Sequence, residues 1–137
     1  MNKKAIIGIG TCLLTLGAAS MVSAGGSWSE SLTFDVKGVN SSTVGNWDTQ
    51  SKNKVTDDAQ ASFHSIARSS WSGMDGRVVN SDGVSRSSWA RNLDPGITVD
   101  VDTTASNGYA YVPEISSDIT QIGTDSISFK WSPDNPD

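Results

Sequence analysis

The sequence predicts an all-β chain: one small antiparallel β-sandwich, immunoglobulin-like or jelly-roll-like, with no disulfide. Three observations carry this expectation. Short apolar runs alternate with polar residues at a period of two, clusters of Gly, Asn, Asp, Ser and Pro separate those runs, and no helix-length heptad pattern occurs.

In chain order, the first element is an address. Lys3 and Lys4 form a positive start, Ala5 to Ala19 an uncharged and mostly apolar stretch, and Val22-Ser23-Ala24 a small-residue end. This is the pattern of a signal peptide, residues 1–24, read by export machinery and cleaved after Ala24. Gly8, Gly10 and Gly17 and the small-residue end argue against an uncleaved anchor. Cys12, the single cysteine, lies inside the leader, and Ile9-Gly10-Thr11 before it leaves too short an apolar stretch for a lipoprotein signal. Residues 25–137 then form one secreted, cysteine-free domain stabilised by packing alone, with no cysteine nucleophile and no thiolate metal site.

The first strand follows from Leu32, Phe34 and Val36 alternating with Thr33, Asp35 and Lys37. Gly38 to Asn46 reads as a break or a short strand with turns. Asp57 to Arg68 fits two descriptions. Ala59, Phe63, Ile66 and Ala67 have helical spacing behind an Asp57/Gln60 cap, whereas Ala61, Phe63, Ala67 and Trp71 fit one strand face; the Ser-rich end and the β neighbours favour the strand. Arg68-Ser69-Ser70-Trp71 recurs as Arg86-Ser87-Ser88-Trp89, with Asn80-Ser81-Asp82-Gly83 between the copies, which suggests a hairpin turning at that cluster. Asp94-Pro95-Gly96 is a turn leading into Ile97, Val99 and Val101; Ser106-Asn107-Gly108 closes that strand, and Tyr109 and Tyr111 open the next. Ile127, Phe129 and Trp131 alternate with Ser126, Ser128 and Lys130, and the Pro-containing run from Ser132 ends the last strand.

Composition narrows the function. The 137 residues carry a formal charge of −5, and loss of Lys3 and Lys4 with the leader takes it to −7. Nucleic acid is thereby disfavoured as a partner, since phosphate neutralisation needs clustered Lys and Arg, and stable membrane insertion by an amphipathic helix is disfavoured too. Ile, Leu, Val and Phe number only 21 in residues 25–137, which predicts a thin core with its apolar residues concentrated on single strand faces.

Five tryptophans offset that deficit: Trp28, Trp47, Trp71, Trp89 and Trp131. Indole is large and its N–H seeks a partner, so several are expected to be partly exposed, where they can stack on sugar rings or mark an interface. Trp28 and Trp47, in Gly- and Ser-rich context, are the first choices for contacts and Trp71 and Trp89 the next, while Trp71 and Trp131 also fit a structural role within strands.

Catalysis finds little support. His64 is the single histidine, no Gly-x-Ser-x-Gly elbow occurs, and Asp100 and Asp102 share one strand face of the kind that is commonly solvated. Asp57-Asp58 and Asp100-x-Asp102, whose hard oxygens could suit calcium, lack the spaced acidic loop with a distal Glu that an EF-hand requires. No cofactor and no metal is expected.

The Ser-, Thr- and Asn-rich domain behind a Gram-positive-style leader, ending in Ser126-Ile127-Ser128-Phe129-Lys130-Trp131-Ser132-Pro133-Asp134, resembles small secreted bacterial proteins grouped as a domain of unknown function. Gly26-Ser27-Trp28 also resembles the Gly-x-Trp element that opens mature lactococcin-type bacteriocins, from which this chain departs in being longer, acidic and poor in His and Tyr. That second resemblance implies a compact β-sandwich acting on cell-wall synthesis through a precursor lipid. The expectation is therefore a secreted, non-enzymatic interaction protein, bacteriocin-like or another competition factor, engaging a cell-envelope component through exposed aromatic β surface. A carbohydrate-binding module for a surface glycan is the alternative, and a small hydrolase using His64 a third.

Overall fold

The computed structural model describes residues 26–69 and 73–136. The leader, its cleavage point, Cys12 and Trp71 lie outside the described residues. The described residues form a two-sheet antiparallel sandwich of eight strands: β1 (Leu32–Lys37), β2 (Ser42–Val44), β3 (Lys52–Asn53), β4 (Gln60–Arg68), β5 (Met74–Val79), β6 (Thr98–Asp102), β7 (Ala110–Ser117) and β8 (Thr124–Ser132). Among the described residues one short helix, α1 (Trp47–Gln50), lies between β2 and β3, capped by Asn46, whose side chain accepts from the Asp48 N–H. Among the described residues no helix is long and apolar enough to cross a membrane.

The first sheet has the order β1-β8-β4-β6; the second is built on β7, with which β2, β3 and β5 each pair. The alternating runs face inward as expected. Phe34 and Val36 from β1, and Ile127, Phe129 and Trp131 from β8, are buried, with Ser126, Ser128 and Lys130 on the other face. Their rings form a ladder: Phe34 meets Phe129 edge-on at 5.0 Å, and Phe63 lies 6.3 Å from Phe129 and 6.4 Å from Trp131. The second sheet approaches closely at Gly76, where a Cβ would stand 2.9 Å from the Phe63 ring. That is why β5 carries glycine there.

Asp57 to Arg68 resolves as strand from Gln60 onward. Ala67 leaves the expected face, because the β4–β8 register shifts between Ser65 and Ala67. With Ile66 as the extra residue, Ala67 turns outward and the next side chain, Arg68, becomes the half-buried one, ion-paired to Asp94 at 2.7 Å. Ile97 precedes β6 and is exposed, as is Tyr109 before β7. The turns before both match the sequence reading, with positive φ at Gly96 and Gly108.

The Asn80–Gly83 turn also stands where expected: Asn80 N–H donates to the Val84 carbonyl and Gly83 N–H to that of Asn80. The hairpin it closes, however, joins β5 to residues 85–90, through the bridges Val79–Ser85 and Gly76–Ala90. Of the first Arg-Ser-Ser-Trp copy, Arg68 ends β4 and is not part of the opposing arm. Ser87 bridges onward to Thr103 just past β6, so this arm links the two sheets along one margin.

Candidate functional site

Trp28 is positioned by an extension of the β1–β8 ladder. Ser29 N–H donates to the Trp131 carbonyl at 2.8 Å, and Trp131 N–H donates to Ser29 Oγ at 3.0 Å. Gly26, at φ +71°, passes so close to Asp134 that any side chain would collide. These ties bring the Trp28 indole onto the outer face of the first sheet, half-buried.

There it meets a row of side chains set by strand register. His64 of β4 stands opposite Lys130 of β8 on one side and Thr98 of β6 on the other. Trp28, His64, Thr98 and Lys130 line a depression of about 290 Å³. The indole and imidazole lie edge to face at 6.2 Å, and His64 Nδ1 shares a 2.8 Å hydrogen bond with Thr98 Oγ1. On its other side Trp28 helps to wall a second depression, about 250 Å³, with Glu30, Thr49, Gln50, Ser51 and Lys52 among its lining residues. Trp28 thus borders two concave patches that carry hydroxyl, amide and ammonium groups and, in the second, the Glu30 carboxylate. Lys130 has no hydrogen-bond or ion-pair partner among the described residues.

The other tryptophans are not gathered with it. Trp47 opens α1, half-buried, and lines neither depression. Trp89 sits on the hairpin's return arm, against the second sheet. Its ring has the Arg77 guanidinium at 4.4 Å and that of Arg91 at 5.9 Å. Arg77 is ion-paired at 2.6 Å to the buried Glu114, which also accepts from Ser42 Oγ, and Arg91 to Asp75. Two guanidiniums, each held by a carboxylate, therefore lie over the Trp89 ring. Trp131 belongs to the core. Asp100 and Asp102 are exposed, Asp100 accepting from Ser62 Oγ at 2.6 Å. Among the described residues no three of His, Cys, Asp and Glu converge as a metal site would require.

Sequence reasoning missed Arg86. It lines two adjoining clefts on the margin where the sheets are linked, about 370 Å³ with Ser85, Ser87, Ser88, Asp102, Thr103 and Thr104, and about 350 Å³ with Asn80, Ser81, Thr104, Ser106, Tyr109, Ala110 and Tyr111. The signal in the sequence was the repeated Arg-Ser-Ser-Trp, where the arginine and serines of the second copy, and not its tryptophan, line a cleft.

Compared with protein-family models, with curated proteins and with solved structures, the chain matches none.

Proposed function

We propose that this chain is a secreted, non-enzymatic interaction protein that engages a cell-envelope component, and that the part it recognises is a glycan held at Trp28. The observation that carries this reading is the Trp28 indole standing between two shallow, hydrogen-bonding depressions. A pyranose presents an apolar C–H face and a rim of hydroxyls, so an aromatic ring flanked by Thr98, His64 and Lys130 on one side and Thr49, Gln50 and Ser51 on the other matches both. The same lining favours binding over hydrolysis: a hydroxyl lies within reach of His64, but no carboxylate lines that depression.

Tryptophan fluorescence titrated with soluble peptidoglycan fragments tests the proposal. Emission should shift and saturate, and the response should disappear in Trp28→Ala while its far-ultraviolet circular dichroism stays unchanged. An identical titration in the variant, or no response from the native protein, counts against the site. Growth inhibition of related bacteria, lost in the same variant, would make the protein a competition factor of the bacteriocin-like kind.

A further inference from the structure

We propose that Arg86 anchors a second, separate binding site, one that takes a glycan alternating neutral and carboxylate-bearing sugars. The argument begins with charge pairing. Arg68, Arg77 and Arg91 each have a carboxylate partner, in Asp94, Glu114 and Asp75, whereas the Arg86 side chain makes no hydrogen bond or ion pair to any described residue. It is nevertheless half-buried, in a chain whose acidic groups outnumber its basic ones 15 to 10. A guanidinium lining a concave place with no carboxylate within ion-pair distance, Asp102 lying elsewhere in the same cleft, is suited to an anionic ligand, and its planar fork fits a carboxylate with two parallel hydrogen bonds.

The surroundings specify the rest. In the cleft toward Tyr109 there is no carboxylate. Asn80 Oδ1 is engaged by the N–H groups of Asp82 and Val84, which leaves its amide nitrogen as an unused donor, and Tyr109 is 67% exposed, so its ring face is open to a sugar. Tyr111 is fixed by the Ser106 N–H at its hydroxyl and forms part of the wall. An acidic sugar therefore places its carboxylate on Arg86 and Asn80 and its ring on Tyr109. In the adjoining cleft, the Ser88 hydroxyl has no partner among the described residues and Asp102 adds a carboxylate, whereas the Ser85, Ser87 and Thr103 hydroxyls are already engaged with the backbone; Ser88 and Asp102 suit the hydroxyls of an uncharged sugar, and Asp102 repels a second anion. Arg86 and Thr104 border both clefts, so one chain of two or more sugars spans them. Phosphate diesters, with an anion at every repeat, meet Asp102. These clefts share no lining residue with the two Trp28 depressions.

Calorimetric titration of the purified protein with a hyaluronan tetrasaccharide, in which acidic and neutral N-acetylated sugars alternate, tests the proposal against chitotetraose, which is neutral throughout, and inorganic phosphate. The acidic tetrasaccharide should bind at least tenfold more tightly than chitotetraose. Arg86→Gln should weaken that binding at least tenfold without lowering the melting temperature, since the side chain supports nothing else; Tyr109→Ala should weaken it too. Trp28→Ala should leave it unchanged, which separates failure of this site from failure of the one at Trp28. Equal affinity for the two tetrasaccharides, undiminished binding by Arg86→Gln, no binding of the acidic tetrasaccharide, or its displacement by equimolar phosphate would each overturn the proposal.

Discussion

Lys54 and Asp134 form an ion pair at 3.3 Å with both side chains only 1% exposed, tying the segment after β3 to the chain beyond β8. The ammonium also donates to the Pro133 carbonyl at 2.8 Å, and Asp134 accepts from the N–H groups of Val55 and Thr56 and from Thr56 Oγ1. Burial alone would raise the carboxyl's pKa. The Thr56 hydroxyl, the two N–H donors and the Lys54 charge outweigh it and hold the pKa below its usual value. Removing the acid leaves a buried ammonium without a counter-charge, so Asp134→Asn should cost about 3–5 kcal/mol at neutral pH, measured by urea unfolding. Because the folded-state pKa lies below the unfolded one, this contribution is complete above the ordinary carboxylate pKa of about 4 and is lost as pH falls through the lower native value. The gap between native protein and variant should close toward strong acid; a gap independent of pH would contradict the ionised pairing.

Gly76 sets the separation of the sheets at the centre of the core. A methyl group there would lie 2.9 Å from the Phe63 ring and 3.2 Å from Leu93 Cδ1, and both neighbours are fully buried. Overpacking of this kind costs about 1–3 kcal/mol, more than glycine's flexibility could return, so Gly76→Ala should lower the melting temperature. An unchanged or raised value would mean that the aromatic ladder yields without strain.

Ser65 makes the opposite case. Its hydroxyl is buried with no hydrogen-bond partner among the described residues, although its backbone N–H and carbonyl are paired with Ile97 and Gly96. Ser65→Ala removes a desolvated polar group and keeps the backbone bonds, which should stabilise the fold by up to about 1 kcal/mol. A loss of stability would show that the hydroxyl has an unrecognised partner.

How far the sequence carried is visible in these same residues. β1 and β8 were legible because Phe34, Val36, Ile127, Phe129 and Trp131 alternate without interruption, and a period of two leaves one assignment. β4 was ambiguous because its bulge breaks that period after Ser65, moving Ala67 and Arg68 to faces that no local pattern encodes. β2 and β3, of three and two residues, are too short to show a period. Trp28 could be singled out by its type and context. Its neighbours could not, because His64, Thr98 and Lys130 become adjacent only through the register of three strands far apart in sequence. The Arg86 clefts were hidden for the same reason, since residues 80–88 and 102–111 meet where the hairpin's return arm bridges the sheets.

The stack around Trp89 yields the last prediction. Arg77 and Arg91 both face its ring and both hold a carboxylate, yet their surroundings differ. Glu114, the partner of Arg77, is buried, while the Arg91 side chain is 66% exposed. An exposed pair contributes roughly 0–1 kcal/mol, so Arg91→Ala should barely alter stability. Truncating Arg77 leaves Glu114 buried with Ser42 Oγ as its side-chain partner among the described residues and removes the closer cation from Trp89, so Arg77→Ala should cost several times more, about 3 kcal/mol. Arg77→Met, which restores packing over the indole but not the charge, should recover less than half of that loss. Equal effects at the two arginines would show that Glu114 is reached by solvent, and near-full rescue by methionine that packing of residue 77 over Trp89 contributes more to stability here than the ion pair to Glu114.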